Sequence, residues 1–160
     1  MRPHVTGLAA RGVAARAIDL PVRRAEDVVG IYATAAGDLA HRVVGGHSYG
    51  GRVASLVAAM PGHGPAGLVL FSYPLHRPGA PDRELRTRHW PSIRCPVLFL
   101  SGESDPFARI DLLRGAVAEL LPAATLVTWA RRGHTLAPVL DEALDHVAAF
   151  VHEIARPTGG

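Results

Sequence analysis

Apolar residues fall along this chain in two alternating patterns. Short, largely apolar runs lie at residues 41–45 (HRVVG), 67–72 (GLVLFS), 97–101 (VLFLS) and 125–130 (TLVTWA), with a weaker one at 15–19 (ARAID). Longer stretches with helical spacing separate them. RRAEDVVGIYATAAGDLA places Val28, Val29, Tyr32 and Ala35 on one face. GGRVASLVAAM is an Ala-rich helix stopped by Pro61-Gly62. PFARIDLLRGAVAELL has Pro106 at its start, where proline suits a helix. LAPVLDEALDHVAAFVHEIA closes the chain as a helix.

Near-continuous apolar strands are the mark of a parallel sheet buried on both faces. Strand–helix alternation then predicts an α/β fold: a doubly wound, mostly parallel sheet of about five strands with helices on both faces. At 160 residues, without an internal repeat or a linker, residues 1–160 read as a single domain. The one long irregular piece, residues 73–94, is rich in Pro and Arg, with a short helix expected near 82–87. It should lie over the carboxyl ends of the strands, where ligands bind in such folds. The terminal RPTGG reads as a frayed tail.

Composition changes this picture little. Hydrophobic residues make up 48% of the chain, enough for a packed core. No stretch approaches a membrane span, and the N-terminus is not a secretory signal. A cytoplasmic protein with no membrane partner is the expectation. The net charge is +3 and every basic residue is Arg, a bias of genome composition rather than of chemistry. The arginines are scattered, with short pairs at Arg23-Arg24 and Arg131-Arg132, and form no basic stripe with interleaved aromatics. No nucleic-acid partner is therefore expected. Cys95, the lone cysteine, reads as a small buried hydrophobe. No Cys/His set has metal spacing, so neither metal nor cofactor is expected.

The chemistry-bearing segment is Gly46-His47-Ser48-Tyr49-Gly50, a G-x-S-x-G pattern between a strand and a helix. A strand turning abruptly into a helix forces its corner residue into a strained conformation. Neighbouring backbone then passes close, leaving no room for side chains at Gly46 and Gly50. Ser48 Oγ would project at the end of the sheet. The Tyr49 N–H, at the helix start, would donate to an oxyanion. A serine needs a base to take its proton, and that base needs an orienting acid. Asp105 follows the strand at 97–101, and His134 follows the strand at 125–130, giving the chain order Ser, acid, His. Singly, Asp105 before Pro106 also suits a helix N-cap, and His134 an ordinary loop position. Together with Ser48 they form a candidate catalytic triad. Glu103 is the substitute acid. His47, Tyr73 and His76, with Arg77 beside them, are candidates for lining a substrate pocket, and Arg52 for a structural ion pair.

The segments GGHSYGGRVASLVAA, GLVLFSYPLHRPGAPDRELRT, PVLFLSGESDPF and RRGHTLAP resemble the α/β-hydrolase superfamily. Within it they are most similar to the small dienelactone-hydrolase-like group that includes the KANL/Tex-type hydrolase-like domains. The resemblance implies Ser48 as nucleophile, Asp105 as acid and His134 as base. Dienelactone hydrolases use a cysteine nucleophile, so Ser48 argues against that substrate. The 73–96 connection is too short for a large lid domain, so an open, shallow site is expected. The family also carries an earlier strand ending in a Gly-rich loop that supplies a second oxyanion N–H. This chain starts at the helix after that loop, HVTGLAARG, so the N-terminal strands are expected to be missing from the sheet between 15–19 and 41–45. Residues upstream of Met1, direct pairing of those two strands, or a homo-oligomer covering the truncated edge would each resolve the gap.

These features make a small serine hydrolase, acting on an ester, thioester or related small acyl substrate, the expected function. A non-catalytic hydrolase-like scaffold or interaction domain is the alternative. A cofactor-free haloperoxidase or lyase on the same fold is a more distant one.

Overall fold

The computed structural model describes residues 2–62, 64–81 and 83–156. Four strands form one parallel sheet: β1 (Val43–His47), β2 (Gly67–Phe71), β3 (Val97–Gly102) and β4 (Thr125–Trp129), in the order β1-β2-β3-β4. Five helices surround it: α1 (Arg2–Ala9), α2 (Val29–Ala36), α3 (Tyr49–Ala58), α4 (Ile110–Leu120) and α5 (Leu140–Ile154). None of the described helices is long and apolar enough to cross a membrane.

Side chains alternate between the two faces of each strand, and the core divides accordingly. Leu68, Leu70, Val97 and Phe99 point to one face, where they meet Val53 and Val57 of α3, Tyr32 of α2 and Leu113 and Val117 of α4. Val69, Phe71, Leu98 and Leu100 point to the other, against Leu144 and Val147 of α5. Because parallel crossovers share one hand, a sequential strand order sends every crossover to the same side. α3, the 72–96 connection and α4 all lie there, with Tyr73, Leu75 and Trp90 in the first cluster. The second face is covered by α5, with α1 packed against it. Helices thus cover both faces, as the apolar pattern predicts. β2 and β3, buried at every position, account for the continuous runs seen in the sequence.

The structure differs from the sequence reading in several elements. Residues 15–19 form no strand, so the sheet has four strands rather than five and β1 lies at its edge. The segment offers few apolar anchors. Val13 is buried and Ile18 and Leu20 pack partly against the core, while Arg16, Ala17 and Asp19 are exposed. Direct pairing of this segment with β1 is likewise not observed. At the edge, the Tyr32 hydroxyl donates to Gly45 O at 2.8 Å and accepts from Gly45 N–H at 3.0 Å. One side chain from α2 thereby satisfies both backbone groups that a neighbouring strand would pair. The helix expected from Arg23 onward divides into a 3₁₀ turn (Ala25–Val28) and α2, which ends at Gly37 with φ 80°. The α4 helix begins four residues after Pro106, because Asp105-Pro106-Phe107 is a turn in which Asp105 Oδ1 accepts from Phe107 N–H at 2.8 Å. Residues 83–87 are not helical; a single 3₁₀ turn forms later, at Trp90–Ser92. Asp82 and the tail from Pro157 lie outside the described residues.

Two outcomes follow from this packing. Tyr32→Phe leaves Gly45 N–H and C=O without a protein partner. Each buried unpaired group costs about 1–3 kcal/mol, so urea unfolding should show a loss of about 2 kcal/mol or more. His89 sits beneath α3, its Nε2–H donating to Ser55 Oγ at 2.8 Å while that hydroxyl donates to Arg52 O at 2.7 Å. Burial, with the nearby Arg52 charge, lowers its pKa from 6.5 to about 4. Between those pH values the unfolded chain binds a proton that the folded chain does not, so stability falls as pH drops from about 6.5 to about 4. His89→Gln should make that fall shallower by about 2 kcal/mol, after discounting for partial exposure, as read by thermal unfolding across the window.

Candidate active site

At the end of β1 the chain turns straight into α3, and the turn residue is Ser48 with φ 51° and ψ −114°. A non-glycine side chain held there stores about 1–3 kcal/mol of backbone strain. The conformation is fixed from both sides. Ser48 N–H donates to Phe71 O at 2.8 Å, and Ser48 O accepts from Arg52 N–H at 3.0 Å. Close backbone approach accompanies the turn, but at a partly different pair of glycines than the motif suggests. A Cβ on Gly46 would lie 2.5 Å from Gly50 C and 2.7 Å from Gly51 N, and one on Gly51 would lie 2.8 Å from Gly46 O. Gly50 faces open space, so the requirement for glycine falls on Gly46 and Gly51.

Ser48, His134 and Asp105 meet in one chain of hydrogen bonds. Ser48 Oγ is 2.8 Å from His134 Nε2, and His134 Nδ1 is 2.8 Å from Asp105 Oδ2 and 3.0 Å from Oδ1. An ionised carboxylate can only accept, so the proton is assigned to Nδ1. That leaves Nε2 free to accept from the serine hydroxyl, the geometry required of a base on a nucleophile. The Asp105 side chain is fully buried and that of His134 is 23% exposed. The acid is therefore shielded from water while the imidazole faces the site. Asp105 Oδ1 also accepts from Phe107 N–H, which closes the turn after β3; it does not cap a helix, since α4 starts only at Ile110, with Arg109 at its N-cap position. Glu103 points elsewhere: its Oε1 accepts from Thr128 Oγ1 at 2.8 Å and from Arg114 at 2.6 Å. It is not placed to serve as the acid.

The loop carrying His134 is tethered at several points. Ser104 N–H donates to Arg132 O at 2.8 Å. Gly102 lies under the loop so closely that a Cβ there would come within 2.3 Å of Arg132 O and 2.4 Å of Gly133 O. His47 Nε2–H donates to His134 O at 3.1 Å, and the two rings stand edge-on with centroids 5.1 Å apart. The Phe107 ring also packs against His134, with ring centroids 4.4 Å apart. The roles of His47 and Phe107 have no signal in the sequence beyond their adjacency to the motif residues. Burial pushes the His47 imidazole below its ordinary pKa, and it pushes that of His4, edge-on to Phe71 at 5.1 Å, the same way.

The remaining expected pocket residues sit differently. Tyr73 is 1% exposed, its hydroxyl donating to Arg86 O at 2.6 Å and its ring packed against Trp90 and Phe99. His76 is 3% exposed, with Nδ1–H donating to Arg77 O and Nε2 accepting from Arg109 N–H. Both are part of the scaffold rather than of a pocket wall, because the chain after β2 folds inward to close the core. His47 holds the base loop and does not line the cleft. Arg52 forms the ion pair expected of it, with Glu26 at 2.5 Å. Tyr49 turns its side chain to donate to Pro21 O at 3.1 Å, leaving its N–H at the start of α3.

Beside Ser48 opens a cleft of about 380 Å³. Its wall includes Phe107 and Pro74 and five arginines: Arg23, Arg24, Arg52, Arg77 and Arg86. These come from separate stretches of the chain, which is why no basic run announces them.

The fold is shared with solved structures of low sequence identity. A monoacylglycerol lipase from Paleococcus ferrophilus superposes with a TM-score of 0.79 at 14% identity, over 96% of this chain and 88% of the lipase. An alpha-beta serine hydrolase homologue from Coxiella burnetii gives 0.63 at 16% identity, over 92% and 75% of the two chains. A puromycin-hydrolyzing peptidase from Mycobacterium tuberculosis gives 0.56 at 20% identity; the match takes in 84% of this chain but only 25% of the peptidase. The sequence pattern of the alpha/beta hydrolase domain matches residues 21–156, most of the chain and all of the elements from β1 to α5. The chain belongs to the alpha/beta hydrolase domain family.

Proposed function

We propose that this protein is a serine hydrolase that cleaves small acyl substrates, esters or thioesters, through Ser48, His134 and Asp105. The observation that carries the reading is the unbroken hydrogen-bond chain from Ser48 Oγ through the His134 imidazole to the buried Asp105 carboxylate. Such an arrangement has little structural purpose, since it holds a strained serine and a shielded carboxylate at one rim of the sheet.

In the proposed reaction Ser48 Oγ attacks the acyl carbon and its proton passes to His134 Nε2. The carbonyl oxygen becomes an oxyanion, with the Tyr49 N–H at the start of α3 as a donor to it. Collapse breaks the bond to the leaving group, which takes the proton from Nε2. Water then attacks the acyl-serine, giving its proton to Nε2. The serine–acyl bond breaks, and Ser48 recovers its proton as the acid product departs. Asp105 keeps the proton on Nδ1 throughout and stabilises the imidazolium while it exists.

Ser48→Ala should abolish labelling by a fluorophosphonate probe and lower hydrolysis of 4-nitrophenyl acetate at least about a thousandfold, with the circular dichroism spectrum unchanged. Retention of the parent rate in that variant would refute the role of Ser48. Absence of labelling in the folded parent protein would favour a non-catalytic scaffold. Asp105→Asn allows the wrong imidazole tautomer and should lower kcat by roughly a thousandfold or more, with little change in KM. An unchanged kcat would remove Asp105 from the reaction.

A further inference from the structure

The cleft beside Ser48 has a charge that the acyl-transfer chemistry does not require. Among the described residues, five arginines line it and Glu26 is the one carboxylate with them. The excess of four positive charges is larger than the net +3 of the whole chain, so the basic character of the protein is concentrated at this one site. Arg52 is paired with Glu26, yet its Nε is buried and has no hydrogen-bond partner. Arg86 is half-buried and donates to Pro74 O at 3.2 Å, a neutral partner. Among the described residues, no carboxylate forms an ion pair with Arg23, Arg24, Arg77 or Arg86. Burial lowers the pKa of Arg86, and the charges of Arg52 and Arg77 lower it further, so these guanidinium groups repel one another across the cleft.

Like charges gathered in a concave, partly desolvated wall are unfavourable unless a ligand of opposite sign completes them. Guanidinium groups match the planar carboxylate and the phosphate bidentately. Resting on the assignment of Ser48 as nucleophile, we infer that the substrate carries an oxoanion, a carboxylate or phosphate, on the part of the molecule that lies in this arginine cleft. The anionic group is bound by Arg77, Arg86 and their neighbours and positions the acyl carbon at Ser48 Oγ. A neutral substrate of the same shape lacks this anchor. The same potential draws anions to the site, so association weakens as salt rises.

The test compares two esters that differ only in charge: mono-(4-nitrophenyl) glutarate and its methyl ester. At low ionic strength the acid should have kcat/KM at least about tenfold above the methyl ester, one well-placed charge contact. The ratio should shrink in 0.5 M sodium chloride. Arg24 and Arg77 are exposed, so Arg24→Gln/Arg77→Gln should fold, as thermal unfolding verifies, and should reduce the ratio severalfold. Competition against the acid ester separates the two oxoanions: stronger inhibition by glutarate assigns a carboxylate, and stronger inhibition by inorganic phosphate assigns a phosphate. Equal kcat/KM for the two esters, with turnover still dependent on Ser48, overturns the anionic-substrate inference and leaves the hydrolase reading standing. If neither ester is turned over and the fluorophosphonate probe does not label Ser48, the hydrolase reading fails and the inference fails with it.

Discussion

The sharp turn from β1 into α3 is the constraint on which the rest of the site depends. A serine at φ 51° is unfavourable alone and persists because its surroundings leave it no alternative. Its N–H is committed to Phe71 O in the next strand and its carbonyl to Arg52 N–H in the helix. The turn also requires Gly46 to lie directly against Gly51, at a separation no side chain could share. Relaxing Ser48 into an ordinary conformation would break the first helical hydrogen bond or the last sheet bond. The strain is therefore held by the sheet and α3 together, and Oγ faces the rim with its direction already set.

The partners of Ser48 face a problem of reach. Strands in a sheet lie about 4.8 Å apart, so β4 runs roughly 14 Å from β1 in this four-strand order. A residue following β4 must be carried back across the ends of β3 and β2 to meet Ser48. The tethers on the 130–136 loop do this. Gly102, at the end of β3, lets the carbonyls of Arg132 and Gly133 pass over it. Ser104 N–H fixes Arg132, and the His47 ring, one residue before Ser48, fixes the carbonyl of His134. Asp105 needs less help, since it follows β3 and is nearer by one strand. The same residues that set the loop path set the imidazole, so positioning the base is a property of the sheet ends rather than of the loop's own sequence.

Much of this was legible in the sequence for a simple reason: the strands and helices of the sheet carry their period in adjacent residues. β2 and β3 are buried at every position and apolar at all but Ser101 because both faces are covered, and the order Ser48, Asp105, His134 follows from where each strand ends. The parts that were not legible depend on contacts between distant residues. Nothing local distinguishes residues 15–19, weakly apolar, from a strand. What decides is that they bring too few apolar anchors, while Tyr32 from α2 takes both edge groups of Gly45. Tyr73 and His76 follow a strand end and therefore read as pocket residues; they are buried because the chain turns inward after Ser72, itself at φ 46°. The choice between Gly50 and Gly51 depends on which of them faces back toward Gly46, a detail of helix phase that the motif does not encode.

The electrostatics on the two sides of Ser48 are of opposite design. On the His134 side the other ionisable neighbours, His47 and His4, are held below their ordinary pKa by burial and so are neutral near pH 7. An imidazolium formed at His134 would meet the Asp105 carboxylate on one side and the neutral ring of His47 on another, which favours proton transfer to Nε2. On the other side the wall is lined with arginine, the side chain that serves as a fixed cation. Fixed cations there can hold an anion without competing for the proton that the reaction moves. Were the cleft lined by histidines instead, acidification would alter substrate binding and the base together. Arginine separates the two, since a guanidinium is a fixed cation and an imidazole is not.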